Sequence, residues 1–189
     1  MTCIVGVIEK RTKTIYMGGD SAGVAGLSII QRKDPKVFVV NGYIIGFTSS
    51  FRMGQLLMFS EPPEFTSKTM SEYEFMVRIF IPYIKERFEQ NGYEKRYDDG
   101  ESKGGTFLVG FRGKLFTVED DFQVGENFLN YASVGCGSDM ALGSLFTTDI
   151  WASKIETERR IITALESAAK FSGGVCEPYK ILKLTCKKL

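Results

Sequence analysis

Residues 36–47 read KVFVVNGYIIGF. Two apolar runs, rich in β-branched and aromatic residues, flank Asn41-Gly42. That pair tolerates positive φ at both positions of a two-residue turn, so the stretch is expected to form a tight type I′ hairpin. Apolar residues occupy both parities of each run, which calls for strands covered on both faces. Working outward, TFLVGFRGKLFTV (106–118) repeats the theme around Arg112-Gly113. The apolar runs 3–8 and 14–18, joined by a charged stretch around KRTK, read as a further hairpin.

Helical patterns lie between and after the hairpins. Ser50 to about Phe59 reads as a short helix. The stretch 71–90, SEYEFMVRIFIPYIKERFEQ, carries an apolar stripe at Phe75, Met76, Ile79, Ile81, Tyr83, Ile84 and Phe88. Pro82 predicts a kink or break within it, because proline lacks the N–H that a helix interior needs. Ser138 is expected to cap a helix through Leu145. Ser153 with Glu156 fits a capping box ahead of a face made by Ile155, Ile162, Leu165, Ala168 and Ala169. The polar stretch 91–105 reads as an exposed, mobile loop, and a last strand spans about 179–186. Hairpins with helices inserted in pairs suggest two packed sheets between helical layers, within one domain over 1–189; an ordinary α+β layered domain also fits.

Composition narrows the function classes. The 189-residue chain has 24 basic and 23 acidic residues, so no charge excess points to nucleic acid or to a membrane surface. No apolar run reaches spanning length, and the N-terminus lacks the order of a signal peptide. Four scattered cysteines without a CxxC pair (Cys3, Cys136, Cys176, Cys186) read as reduced thiols of a cytoplasmic protein. There is no histidine. Ser-His-Asp and Cys-His machinery is therefore absent, and so are the usual zinc sites. Any nucleophile must give its proton to Lys, Asp, Glu or a free terminal amine.

Thr2 offers a hydroxyl and, once Met1 is removed, an α-amine. Such an amine has a reference pKa of about 7.7–8.0 and can act as its own base. Asp20 ends the second apolar run, and Gly18-Gly19 before it allow close backbone approach. Lys36 opens the VFVV strand. A buried Lys36 beside the nucleophile would favour the free amine, and Asp20 would keep that lysine charged and placed. Each residue also has a plainer explanation: a chance Met-Thr start, a turn aspartate, a snorkelling lysine at a strand end.

Four segments together resemble the β-type subunits of proteasomes and the bacterial HslV-like peptidases, members of the N-terminal nucleophile (Ntn) hydrolases. They are TCIVGV, GGDSAGVAG, KVFVVNGYIIGFTSS and SVGCGSDMALGSLF. The resemblance implies an α+β, four-layer αββα sandwich. It implies Thr2 as nucleophile with its α-amine as base, Lys36 tuning that amine and Asp20 holding Lys36. It implies the Gly46 N–H as oxyanion donor and Ile44 as lining for the side chain before the cut. Cys136 stands where the family has the serine of a Gly-Ser-Gly turn, and a thiol is a weaker donor than a hydroxyl. Ala169 replaces an aspartate that many proteasome subunits carry three residues before the Ser-Gly pair, here Ser172-Gly173. The bacterial branch also lacks that aspartate. Gly173 and Cys176 resemble a bacterial turn whose carbonyls hold a monovalent cation; no cofactor is required. The implied activity is threonine-type cleavage of unfolded polypeptides inside a homo-oligomeric ring, with an AAA+ ATPase unfoldase as expected partner. Two alternatives stay open: a shell subunit that kept the fold and lost the chemistry, and an Ntn amidase acting on a small molecule.

Overall fold

The computed structural model describes residues 1–93, 95–96 and 102–185. The chain opens with β1 (Cys3–Ile8) and β2 (Ile15–Gly19), then a small hairpin of β3 (Ala22–Ala25) and β4 (Ser28–Gln31). β5 (Val37–Val40) and β6 (Tyr43–Phe47) follow, then α1 (Phe51–Met58). A helical run comes next: α2 (Glu72–Phe75), a π-helical segment (Met76–Phe80) and α3 (Ile81–Gln90). β7 (Lys95–Arg96) and β8 (Ser102–Lys103) pair with each other. β9 (Phe107–Phe111), β10 (Lys114–Val118), β11 (Val124–Glu126) and β12 (Tyr131–Gly135) precede α4 (Ser138–Asp149), α5 (Thr157–Phe171) and β13 (Lys180–Leu184).

Two antiparallel sheets form the frame, ordered β12-β1-β2-β13 and β11-β10-β9-β6-β5. Both expected turns carry positive φ at their two central residues: 45° and 84° at Asn41-Gly42, 48° and 79° at Arg112-Gly113. The two-residue period of a strand divides the apolar residues between layers. Ile4, Ile15, Met17, Val37, Ile44, Leu108 and Leu115 form a cluster between the sheets. Cys3, Val5 and Val7 point the other way, onto α4 and α5. Tyr43, Ile45 and Phe47 turn from the second sheet onto α1 and the helical run that follows. Doubly apolar strands are thus doubly covered, as the sequence suggests.

Several local expectations shift. The break at Pro82 is a π-helical segment just before it; the widened turn accommodates a residue that cannot donate to the ladder. It also rotates the stripe, so that Phe80 is buried while Ile79 is 40% exposed. Ser138 is the first residue of α4 rather than its cap, and Gly137 precedes it. No capping box forms at Ser153: α5 begins at Thr157, and its buried face is Ile161, Ala164, Leu165 and Ala168, not Ile162 and Ala169. Arg160 is buried at the start of that face and reaches Asp149 Oδ1 at 3.0 Å, tying α5 to the end of α4. The hairpin of β3 and β4 has no counterpart in the sequence reading. Most of the expected loop 91–105 and the end of the last strand, with Cys186, lie outside the described residues. Among the described residues no helix is long and apolar enough to cross a membrane.

Candidate active site

Thr2 lies immediately before β1 and is 4% exposed. Its carbonyl oxygen accepts the Gly137 N–H at 3.3 Å. Gly135 permits this approach: its φ is +106°, and a Cβ there would sit 2.2 Å from that oxygen. The end of β12 therefore pins residue 2 against the sheet, and a terminus that would ordinarily fray is held.

Asp20 and Lys36 converge on the same point. Asp20 follows β2, and each of its oxygens accepts one backbone N–H: Oδ1 from Cys3 at 2.9 Å, Oδ2 from Ala22 at 2.8 Å. Lys36 Nζ donates to both oxygens at 3.0 Å and to Thr2 Oγ1 at 2.9 Å. The side chains of the pair are wholly buried. The three donors of the ammonium thus have three acceptors, which is the condition for a buried charge to be tolerated. Burial pulls the pKa of Lys36 below the usual 10.5, and the Asp20 carboxylate opposes that pull. Thr2 Oγ1 also donates to the Met1 carbonyl oxygen. With Met1 attached, the Thr2 nitrogen is an amide whose lone pair is delocalised, and it cannot accept a proton.

Cys136 sits on the other side of residue 2. The Thr2 N–H donates to its Sγ at 3.2 Å, and Sγ lies 3.4 Å from Ser172 Oγ. Thr2, Asp20, Lys36 and Cys136 are therefore one constellation, although they are up to 134 positions apart in sequence.

Two candidates fall outside it. Gly46 is a mid-strand residue paired with Val37 on one side and Leu108 on the other. The neighbouring Phe47 N–H points to β5, donating to the Lys36 carbonyl. Strand alternation turns the Gly46 N–H to β9, inside the ladder, so it cannot serve an oxyanion. Its missing side chain has a packing reason: a Cβ would lie 2.4 Å from Ile4 Cγ2 and 2.8 Å from Met17 Sδ. Ile44 is wholly buried between the sheets and cannot line a substrate pocket.

Other residues, a few positions on, face the space beside Thr2. A cavity of about 70 Å³ beside Thr2 is lined by Met1, Val24, Phe47, Thr48, Ser49, Ser50 and Phe51. Ser49 has φ +58°, and its Oγ accepts the Thr106 N–H at 3.2 Å. No hydrogen bond among the described residues uses its own N–H, which leaves it a backbone donor beside this cavity. Nothing in a Thr-Ser-Ser triplet announces a left-handed residue. Phe47, packed edge-on to Phe51 with ring centres 5.8 Å apart, also borders this cavity.

Gly173 and Cys176 lie in the turn after α5. The Cys176 carbonyl accepts the Ser21 N–H at 3.1 Å, and the Ser21 hydroxyl donates to the neighbouring Glu177 carbonyl at 2.6 Å. Among the described residues no cluster of His, Cys, Asp and Glu could hold a metal.

No protein-family model matches the sequence, and no curated relative does. Solved structures do. A Thiobacillus denitrificans BPH in complex with epoxomicin superposes with a TM-score of 0.78 at 18% identity, over 99% of this chain and 100% of that one. A eukaryotic HslV from Trypanosoma brucei matches at 0.66 and 16% identity, over 97% of this chain and 99% of that one. An Anbu (Gly-1) mutant from Hyphomicrobium sp. strain MC1 matches at 0.64 and 14% identity, over 99% of this chain and 84% of that one. The chain therefore has the fold of proteasome-like Ntn hydrolases.

Proposed function

We propose that the chain is a threonine-type peptidase of the proteasome-like kind, with the four-layer αββα organisation of that fold. The observation that carries the proposal is the buried Asp20–Lys36 pair aimed at Thr2 Oγ1, with Nζ–Oγ1 at 2.9 Å. A scaffold has no need to hold an ammonium against a hydroxyl at its first strand.

In this reading Met1 is first removed, and the Thr2 nitrogen becomes an amine. That amine takes the Oγ1 proton as Oγ1 attacks a peptide carbonyl. The Lys36 ammonium disfavours a second positive charge on the amine and so keeps it a base at neutral pH. The Ser49 N–H meets the oxyanion, and a fixed donor of this kind is worth about 2.7–4 kcal/mol of barrier. The amine then protonates the leaving nitrogen, an ester remains on Thr2, and water releases it. Phe47, Phe51 and Val24 present an apolar wall to the side chain before the cut. Polypeptide substrates, a homo-oligomeric ring that encloses the sites and an ATPase that feeds them belong to the same proposal. So does a cytoplasmic location. No cofactor enters any step.

The test is cleavage of short fluorogenic peptides by the chain with Met1 removed, beside Thr2→Ala. The proposal expects turnover that Thr2→Ala abolishes. Equal rates would instead favour the shell-subunit reading.

A further inference from the structure

One wall of the cavity beside Thr2 is a ring that is held from outside the cavity. Phe51 is the first residue of α1, and Ser50 Oγ fixes that start by accepting the N–H groups of Arg52 and Met53 at 3.1 and 3.4 Å. The cap places the Phe51 backbone; packing sets its side chain. Phe47 meets the ring edge-on, and the Lys36 ammonium lies 5.6 Å from its centre. The ring therefore stands next to the group that contacts Thr2 Oγ1. The Arg32 guanidinium lies over the same ring, 3.9 Å from its centre. Phe51 lines the cavity and Arg32 does not, so the guanidinium stands behind the ring as seen from Thr2.

Arg32 is itself held. It follows β4, and its Nε and Nη2 donate to Asp34 Oδ1 and Oδ2 at 2.9 and 2.8 Å. Such a two-bond fork fixes the plane of a guanidinium, which a single contact between surface charges does not. Its stem crosses Gly23 of β3, where a Cβ would lie 2.9 Å from Arg32 Cδ and 3.1 Å from Cγ. Val24, the next residue, is another wall of the cavity. The fork, the bare glycine and the stacked ring form one brace from the β3–β4 hairpin to α1.

The space beside this brace is small. At about 70 Å³ it has room for about two water-sized groups. Met1 lines it from the outside and is 58% exposed. Removing Met1 widens the mouth and leaves the walls made by Val24, Phe47 and Phe51.

We propose that Arg32 is a positioning residue for specificity: held by Asp34, it pins the Phe51 ring, and the pinned ring limits the side chain before the cut to small apolar groups such as those of alanine and valine. The proposal deepens the peptidase reading of Thr2 and rests on it. A phenylalanine side chain enters only if the Phe51 ring swings aside, and the swing gives up the guanidinium contact. That contact corresponds to about two- to fivefold where water reaches it and about thirtyfold where water is excluded.

The experiment uses the chain with Met1 removed and three fluorogenic peptides that differ only in the residue before the cut: valine, phenylalanine or glutamate. The intact pair should favour valine over phenylalanine by at least about tenfold in kcat/KM. Arg32→Ala should lower that ratio at least about threefold, Asp34→Asn should lower it by less, and Arg32→Lys, which keeps a cation but loses the fork, should also lie between. A general loss of folded chain lowers both rates together and leaves the ratio where it was, so the ratio reads the brace itself. Phenylalanine cleaved as fast as valine by the unmodified sequence, or a ratio that Arg32→Ala does not move, overturns the proposal. So does a preference for glutamate that Arg32→Ala removes, since Arg32 would then meet the substrate directly. Cleavage of none of the three peptides is a different outcome; it overturns the peptidase reading and this proposal with it.

Discussion

The electrostatic role of Lys36 can be tested by removing the whole ion pair, with Lys36→Met and Asp20→Asn together. Nζ is 2.9 Å from Thr2 Oγ1. The amine sits on the neighbouring carbon, which puts the two cationic centres about 4 Å apart and the repulsion at about 4 kcal/mol for an effective dielectric of about 20. The Asp20 carboxylate lies beyond Nζ, with both oxygens at 3.0 Å. At about 6 Å from the amine it returns about 3 kcal/mol of attraction. The remainder, about 1 kcal/mol, is a little under one pH unit. The ion pair should therefore hold the amine pKa about one unit below its value in the double variant. The assay is kcat/KM against pH for a fluorogenic peptide, with the chain's mass checked for loss of Met1. The acid limb should move up by about one unit in the double variant, alongside a lower plateau from the lost contact to Oγ1. An acid limb that stays in place would refute the electrostatic reasoning, whatever happens to the plateau.

Other outcomes follow from the same geometry. Lys36→Met alone leaves a buried carboxylate without its cation and should cost about 3–5 kcal/mol in urea unfolding, more than the double variant costs. Lys36 has a lowered folded pKa, so the folded chain releases its proton before the unfolded chain does. This group should therefore add stability as pH rises towards 10.5, while activity falls as the ammonium is lost; thermal unfolding and kcat/KM over the alkaline range check both signs. Gly46→Ala must push a methyl carbon against Ile4 and Met17 and should lower stability by about 1–3 kcal/mol by urea titration. At Ser49, with φ +58°, substitution by Gly should be tolerated while Val costs about 1–2 kcal/mol of thermal stability.

The frame was legible because its signals are local. Asn41-Gly42 and Arg112-Gly113 fix two turns by backbone chemistry alone, and the doubly apolar strands between them announce two covered sheets. What escaped depends on contacts the sequence does not print. The hairpin of β3 and β4 leaves Leu27, Ile29 and Ile30 exposed, which breaks the link between apolar residues and core. The capping pair at Ser153 failed because α5 starts four residues later, where Arg160 can reach Asp149. At the site, Thr2, Asp20 and Lys36 were readable as residue types with a shared purpose, and the structure brings them within 3.0 Å of one another through Nζ. The family resemblance points to the Gly46 N–H as oxyanion donor, but that group lies inside the β6–β9 ladder. The glycine character of Gly46 serves sheet packing instead, and the left-handed turn falls on Ser49.

The most direct test is the chemical state and reactivity of residue 2 in purified chains. Peptide mapping by mass spectrometry after incubation with an epoxyketone should find Met1 gone and the inhibitor on Thr2, with no adduct in Thr2→Ala. Chains that begin at Thr2, are folded, and still take no adduct at that residue would contradict the account.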